Sequence, residues 1–349
     1  MSQKNLLEYT PLELESLAQE CGEPAYRGRQ LAYWIYQKNV LHFELMTDVP
    51  KHFRSRLSAE AVIGAPIVDH VVTSADGSRK FILTLSDRKR IHAVLMPDDD
   101  RLTLCLSTQV GCGFACTFCF TGTMGLVRNL TAGEIVGQFL AVRRALPEDR
   151  RVTHLVFMGM GEPLANYNAT VKALRIFSDP LGCGFSPRRI TVSTVGLVKG
   201  VERLARENLH VNLAISLHAT TDEQRNFLMP INRGYPLGDL LAACRRFQAP
   251  VRRRIFFEYV LLDRVNDSTE DAGRLVQLLR GLRAKVNLIP FNEWPGAQFR
   301  RPPLPRILAF QKILLDHGLI ATIRWSKGED IGAACGQLQE PKERAAVPA

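Results

Sequence analysis

Three cysteines are spaced Cys112-x-x-x-Cys116-x-x-Cys119, in the run Gly111-Cys112-Gly113-Phe114-Ala115-Cys116-Thr117-Phe118-Cys119. Three thiolates can each hold one iron of a cubane, and a cubane has four irons. The fourth iron is then open to a small molecule, so a cluster held this way can do chemistry as well as pass electrons. Zinc is the plain alternative, but a zinc knuckle needs a fourth ligand and usually pairs two Cys-x-x-Cys units. Cys105 upstream or Cys335 far downstream could in principle supply it. A disulfide framework fits poorly, because eight cysteines in 349 residues without a signal-like start point to a reducing, cytoplasmic compartment.

The elements that must position these thiols follow from the patterning. Residues 10 to 58 read as helices. Thr10-Pro11-Leu12-Glu13 is an N-cap with Pro in the first turn, and Leu31, Trp34 and Ile35 recur at helical spacing. From 59 to 97 the pattern becomes strand-like: Ile67 to Thr73, Ser78 to Leu85, and Ile91 to Met96, with Ala75-Asp76-Gly77 as a hairpin turn. Beyond the acidic turn Asp98-Asp99-Asp100, strands and amphipathic helices alternate. Strands are expected at Leu102–Gln109, His154–Met158, Ile190–Thr194, Leu213–Leu217, Ile255–Leu262, Val286–Phe291 and Thr322–Trp325. Thr131 and Glu134 form a capping box at the start of one helix. This alternation predicts an α/β chain with a parallel sheet curled into a partial or full (β/α) barrel. Ligands in such folds sit at the carboxyl ends of strands, and the cysteine triplet follows the first of them. The expected division is a helical unit at 1–58, a β-linker at 59–97, a barrel core at 98–340 and a disordered tail at 341–349.

A formal charge of +10 and a pI near 9.4 point to a polyanionic partner. Arg27, Arg29, Lys38, Lys51, His52, Arg54 and Arg56 crowd the first sixty residues, with Tyr26, Tyr33 and Tyr36 among them. They could grip an RNA backbone, or be the solvated face of a small helical core. Arg188, Arg189, Arg252 to Arg254, Arg300 and Arg301 recur near expected strand ends. No run of about 18 apolar residues exists, so no membrane span is expected.

Five segments occur together in order. They are the triplet, Met158-Gly159-Met160-Gly161-Glu162-Pro163, Ser216-Leu217-His218, Val265-Asn266-Asp267, and Ala333-Ala334-Cys335-Gly336-Gln337-Leu338. Together they resemble the RlmN/Cfr family of radical S-adenosylmethionine (SAM) RNA adenine methyltransferases over nearly the whole chain. The triplet marks the superfamily, and the Ala-Ala-Cys-Gly-Gln-Leu ending with Cys105 ahead of the cluster is far more specific. The resemblance implies a [4Fe-4S] cluster on Cys112, Cys116 and Cys119. It implies SAM contacts from Gly161, Glu162 (to the amino group), Ser193, Ser216, Leu217, His218 and Asn292. Read without it, the glycines would be a strand-to-helix turn and His218 a satisfied core histidine.

The resemblance also implies the reaction. Carbon 2 of adenine is neither nucleophilic nor readily deprotonated, so direct displacement on a methyl donor has nothing to attack with. The family uses two SAM molecules per turnover. One methylates Cys335, and the other is cleaved to a 5′-deoxyadenosyl radical that takes a hydrogen atom from that methyl. The carbon radical adds to the base and makes a protein–RNA adduct. Cys105 then attacks the Cys335 sulfur, and RNA leaves as a disulfide forms, which an external reductant resets. A hydroxyl in place of the Cys335 thiol could not be methylated and then expelled as a disulfide. A hydroxyl in place of the Cys105 thiol could not resolve the adduct. Cysteine is therefore required at both positions. Read alone, Cys105 is a buried strand residue and Cys335 a turn. Cys21, Cys183 and Cys244 lack such context and read as structural.

One position departs from the family pattern. A base must remove a proton before release, and the family commonly places Glu there. Here the position is His92, whose imidazole can also accept a proton near neutrality. The implied substrates are 23S rRNA and the adenosine 3′ of certain tRNA anticodons. An external electron donor and a monomeric state are expected. Pro163 leans toward carbon 2. The alternatives are carbon 8 methylation of the same rRNA base, and a zinc-stabilised RNA-binding module without catalysis.

Overall fold

The computed structural model describes residues 3–251 and 253–338. The tail expected to be disordered, 341–349, lies outside the described residues. Near the N-terminus, β1 (Lys4–Asn5) pairs in parallel with β2 (Ala61–Val62). Between them lie α1 (Pro11–Glu20), α2 (Tyr26–Ala32) and α3 (Lys51–Glu60). Thr10 caps α1 with a full capping box, because the Glu13 carboxylate reaches back to the Thr10 N–H. Leu14, Leu17, Leu31, Ile35, Phe53 and Leu57 fill the core of this unit.

Three antiparallel strands follow: β3 (Ile67–Thr73), β4 (Arg79–Thr84) and β5 (Arg90–Asp98). They are continuous with the main sheet, since β5 pairs with β6 (Arg101–Cys105). A separate hairpin, β7 (Gln109–Cys112) and β8 (Gly125–Asn129), flanks the short α4 (Phe120–Thr123). Alternation then runs α5 (Ala132–Arg144), β9 (His154–Phe157), α6 (Tyr167–Ser178), β10 (Ile190–Thr194), α7 (Val198–Arg206) and β11 (Asn212–Ser216). It continues with α8 (Asp222–Leu228), α9 (Leu237–Val251), β12 (Ile255–Leu261), α10 (Thr269–Leu278), β13 (Ala284–Pro290), α11 (Leu304–Asp316) and β14 (Ile320–Ile323).

The ten-stranded sheet has the order β14-β13-β12-β11-β10-β9-β6-β5-β4-β3, with β6 and β9 to β14 parallel. Cys105 on β6 and Ile323 on β14 line one cavity although five strands separate theirs in the sheet. The sheet therefore curls into a partial barrel, with its two edge strands unpaired to each other.

One expectation needs correction. The strand expected over Leu102–Gln109 is two elements: β6 stops at Cys105 and β7 starts at Gln109. The chain leaves the sheet because Gln138 of α5 takes both the N–H and the carbonyl of Ser107, at 2.9 and 2.8 Å. Several of the aromatic and basic residues of the first sixty have partners within their own unit. Tyr36 is buried, with its hydroxyl donated to the Tyr9 carbonyl. Arg29, His52 and Arg56 pair with Glu15, Glu23 and Glu60, and Arg54 donates to the Glu44 carbonyl. Much of that charge is held inside the unit.

Candidate active site

The triplet hangs from the end of β7. Cys112 closes that strand, Ala115 takes a left-handed φ of 50°, and Cys119 precedes α4. The loop is pinned by the Thr117 N–H on Leu228 O (3.0 Å) and the Cys119 N–H on Cys116 O (3.1 Å). Burial pushes the Cys112 thiol up to about 11 and the Cys116 thiol well above its usual value, with neighbouring thiols adding to the effect. Such thiols are poor anions by themselves and become thiolates when a metal supplies positive charge. A single zinc ion, with Zn–S near 2.3 Å, would draw three sulfurs to within about 4 Å of one another. Three thiols on one loop can also each take a separate iron of a cubane.

The three cysteines line a cavity of about 170 Å³ at the carboxyl ends of the strands. Of the residues expected to contact SAM, Gly161, Glu162, Ser193, Ser216, His218 and Asn292 line it too. Leu217 is not among its lining residues. Its side chain is core, and its backbone links Glu258 O to the Arg225 guanidinium. Gly161 adopts φ 95°, and a Cβ there would stand 2.5 Å from the Gln109 Cβ. Only glycine lets this loop pass so close to β7. The next residue, Glu162, is 2 % exposed. Its carboxylate accepts the N–H groups of Leu164 (2.9 Å) and Val195 (2.8 Å). Burial outweighs those bonds and raises it to about 7. A buried carboxyl held by neutral donors is suited to an incoming ammonium group. Three thiols, one carboxyl and the polar side chains of Ser193, Thr194 and Asn292 in the lining thus fit an iron–sulfur cluster and an amino-acid-bearing ligand beside it.

Glu162 gives a measurable expectation. Its folded value exceeds the ordinary 4.5, so its contribution to stability is complete below that pH and is lost as pH rises through about 7. The loss amounts to roughly 3 kcal/mol. In the SAM-free protein, Glu162→Gln should flatten the dependence of the urea midpoint on pH between about pH 5 and 8. A Glu162→Gln profile as steep as wild type would show that the titrating group lies elsewhere.

His218 is a satisfied core histidine whose ring also lines the cavity. Its Nδ1 accepts the Val260 N–H at 2.9 Å, and its ring packs edge-on to Phe118 while facing the cavity. Burial keeps it neutral, with a value near 3.

Cys335 lines this cavity and also a second, adjoining one, which holds Cys105, Val94, Met96, Arg324 and Trp325. Cys105 is buried on β6, while Cys335 is exposed; both are free thiols. Burial, then the nearby Cys335, pushes Cys105 up to about 12. His92 sits on β5 two residues from Val94, so it shares the face that Val94 presents to the second cavity. It is 1 % exposed, both ring nitrogens lack a protein partner, and it is not among the residues lining either cavity. Burial, then Lys80 and Arg90, lower it to about 3.

The loop bearing Cys335 is held on both sides. Upstream, the β3–β4 turn clasps it. Asp76 accepts the Gly328 N–H at 2.8 Å, Ser74 and the Ala75 N–H donate to Asp330, and Lys80 donates to the carbonyls of Ile331 and Gly332. Gly328 has φ 68°, and a Cβ on it would meet the Ala333 Cβ at 2.9 Å. Downstream, Asn292 donates to Cys335 O (3.0 Å), the Phe120 N–H to Gly336 O (2.7 Å), and Thr121 to Leu338 O (2.8 Å).

Two buried charged residues that shape the site escape a reading of the sequence. Arg225 is 0 % exposed and donates to the carbonyls of Leu217, Ser216 and Val195 and to Asn232. It ties together the loops after β10 and β11 that shape the cavity. Glu258 is buried on β12, takes a bond from Asn287 (2.8 Å) and lies 3.8 Å from Arg324. A Glu inside an apolar strand is the one signal the sequence offers for it.

Residues 106–276 match the model of the radical SAM superfamily, and residues 4–63 match that of the ribosomal RNA large subunit methyltransferase N-terminal domain. A protein of Geobacter sulfurreducens named dual-specificity RNA methyltransferase RlmN is 51% identical over 327 residues, 94% of this chain and 89% of that one. A relative of the same name from Geotalea uraniireducens is 48% identical over 345 residues, 99% of each. The chain belongs to the RlmN family. A crystal structure of a radical SAM methyltransferase from Sphaerobacter thermophilus superposes with a TM-score of 0.92, at 48% identity, covering 96% of this chain and 99% of that one. Members of the radical SAM superfamily carry a [4Fe-4S] cluster and use SAM, the two groups that the cavity fits. No helix among the described residues is long and apolar enough to cross a membrane.

Proposed function

We propose that this chain methylates carbon 2 of adenine in 23S rRNA and in tRNA. The observation that carries this reading is the position of Cys335. It lines the cavity with the cysteine triplet and the cavity with Cys105, so one sulfur faces both halves of the reaction. The bound cluster and SAM would supply the electron, the methyl group and the hydrogen-abstracting radical.

The chain's own residues do the rest. Cys112, Cys116 and Cys119 hold the cluster. Glu162 takes the amino group of SAM, and Gly161, Ser193, Ser216, His218 and Asn292 complete that pocket, with Leu217 acting through its backbone. Cys335 carries the methyl group and then the RNA. Cys105 attacks the Cys335 sulfur, forming the disulfide as the product leaves. We assign the proton transfer to His92 on its two unpartnered ring nitrogens, although burial, which holds it near 3, makes it a weaker base than a free imidazole. His92→Ala should slow turnover by about 100-fold, a typical general-base contribution. A wild-type rate in single-turnover assays removes His92 from the mechanism.

The unit spanning 1–58 serves RNA binding, residues 59–97 brace the Cys335 loop, and 98–340 form the catalytic core. The enzyme acts as a cytoplasmic monomer with an external electron donor. Nucleoside mass spectrometry of rRNA and tRNA, from cells with and without the gene, tests the reading. 2-Methyladenosine lost from both RNAs supports it. Loss of 8-methyladenosine instead assigns the carbon 8 activity, and no change in either overturns it.

A further inference from the structure

Trp325 is 52 % exposed and is the sole aromatic side chain among the described residues lining the Cys105–Cys335 cavity. Single exposed apolar residues are ordinary. This one differs in its place and its mounting. It lies just past β14, at the carboxyl end of the strand, where a barrel places its ligand contacts. Both its neighbours are pinned. The Arg324 N–H donates to Leu288 O at 2.7 Å, and the Ser326 hydroxyl donates to the Asn292 side chain. The backbone that carries the indole is therefore fixed, and ordering it on binding costs little. Lys327 lies beside it in the lining, so cationic and aromatic groups stand together at the cavity mouth.

We propose that Trp325 is a stacking platform for an unpaired RNA base at the mouth of the second cavity, with Lys327 neutralising an adjacent phosphate. The inference rests on the RNA-methyltransferase reading above and adds a binding contact to it. An aromatic face accepts any base, because every base has a π-face, and cations beside it track the backbone. A base that must leave its stack to reach Cys335 loses stacking. A rigid indole at the entrance replaces part of what that base, or its neighbour, gives up. The indole would therefore favour unpaired over paired RNA at the entrance.

The test uses the full-length holoenzyme and a fluorescein-labelled RNA hairpin with an unpaired adenine in its loop, titrated by anisotropy at fixed salt. Stacking on an aromatic is worth about 1–3 kcal/mol per base, which is about a 5- to 150-fold change in Kd. Trp325→Ala should weaken binding within that range, and Trp325→Phe should recover most of it. Lys327→Met should lower the salt dependence of binding by about one phosphate contact. Leu308→Ala, which removes another exposed apolar side chain on α11, should bind as wild type. Methylation of Cys335, read by mass spectrometry without RNA, should be unchanged in Trp325→Ala, which separates a lost RNA contact from a damaged site. Wild-type affinity in Trp325→Ala overturns this inference and leaves the proposed function standing. A wild-type enzyme that binds no hairpin overturns both.

Discussion

Cys105→Ala is expected to abolish multiple turnover and to leave RNA covalently attached to the enzyme. The reason lies in the second cavity. Cys105 and Cys335 both line it, and both are free thiols. Once RNA is bonded through Cys335, release needs a nucleophile at that sulfur, and the Cys105 thiol faces it across the same space. Alanine keeps the small buried volume on β6 but has no sulfur to form the new bond. The loss of packing costs about 1 kcal/mol and leaves the fold intact. A denaturing gel should therefore show a slow-migrating, RNase-sensitive band in Cys105→Ala, absent in wild type and in a Cys105→Ala/Cys335→Ala double variant. A mutant without that band, yet still inactive, would mean that Cys105 acts before the adduct forms. The high value of Cys105, about 12, also implies that it is uncharged at rest and must lose a proton as it attacks.

The second large effect is expected for Cys116→Ser. Cys116 is buried, and burial holds its thiol well above the ordinary value until a metal draws off the proton. A serine hydroxyl is far less acidic and much harder as a ligand, so the cluster should fail to assemble. Anaerobically purified wild type should be brown, and Cys116→Ser colourless, with turnover below detection. The fold should survive, because the loop is pinned by backbone bonds such as Thr117 N–H to Leu228 O. A brown, active Cys116→Ser protein would place the cluster elsewhere.

Much of this arrangement is legible in the sequence because spacing carries it. The x3/x2 thiol run, the Thr10 and Thr131 capping boxes and the Asp76-Gly77 turn are all short-range patterns, and each stands where it is expected. The strand after Asp100 is shorter than its pattern suggests, because its end is set by Gln138, a residue 31 positions from Ser107. Tyr36 stands in the sequence beside Tyr26 and Tyr33 among basic residues, but its hydroxyl finds a carbonyl in the segment before α1. Arg225 belongs to no motif; its meaning comes from the three carbonyls that converge on one guanidinium. Long-range partners of this kind cannot be read from one sequence, since no local period encodes them.

Asp76 and Gly328 are 252 residues apart along the chain, and their bond closes the loop that carries Cys335 onto a turn made early in the sequence. During synthesis, then, the hairpin is made before the barrel, and Cys335 reaches its place only when the last segment arrives. A polypeptide released before Gly328 would have its thiol triplet but neither the transfer cysteine nor the strap that holds it. An incomplete chain would therefore lack Cys335, a cysteine that lines both cavities.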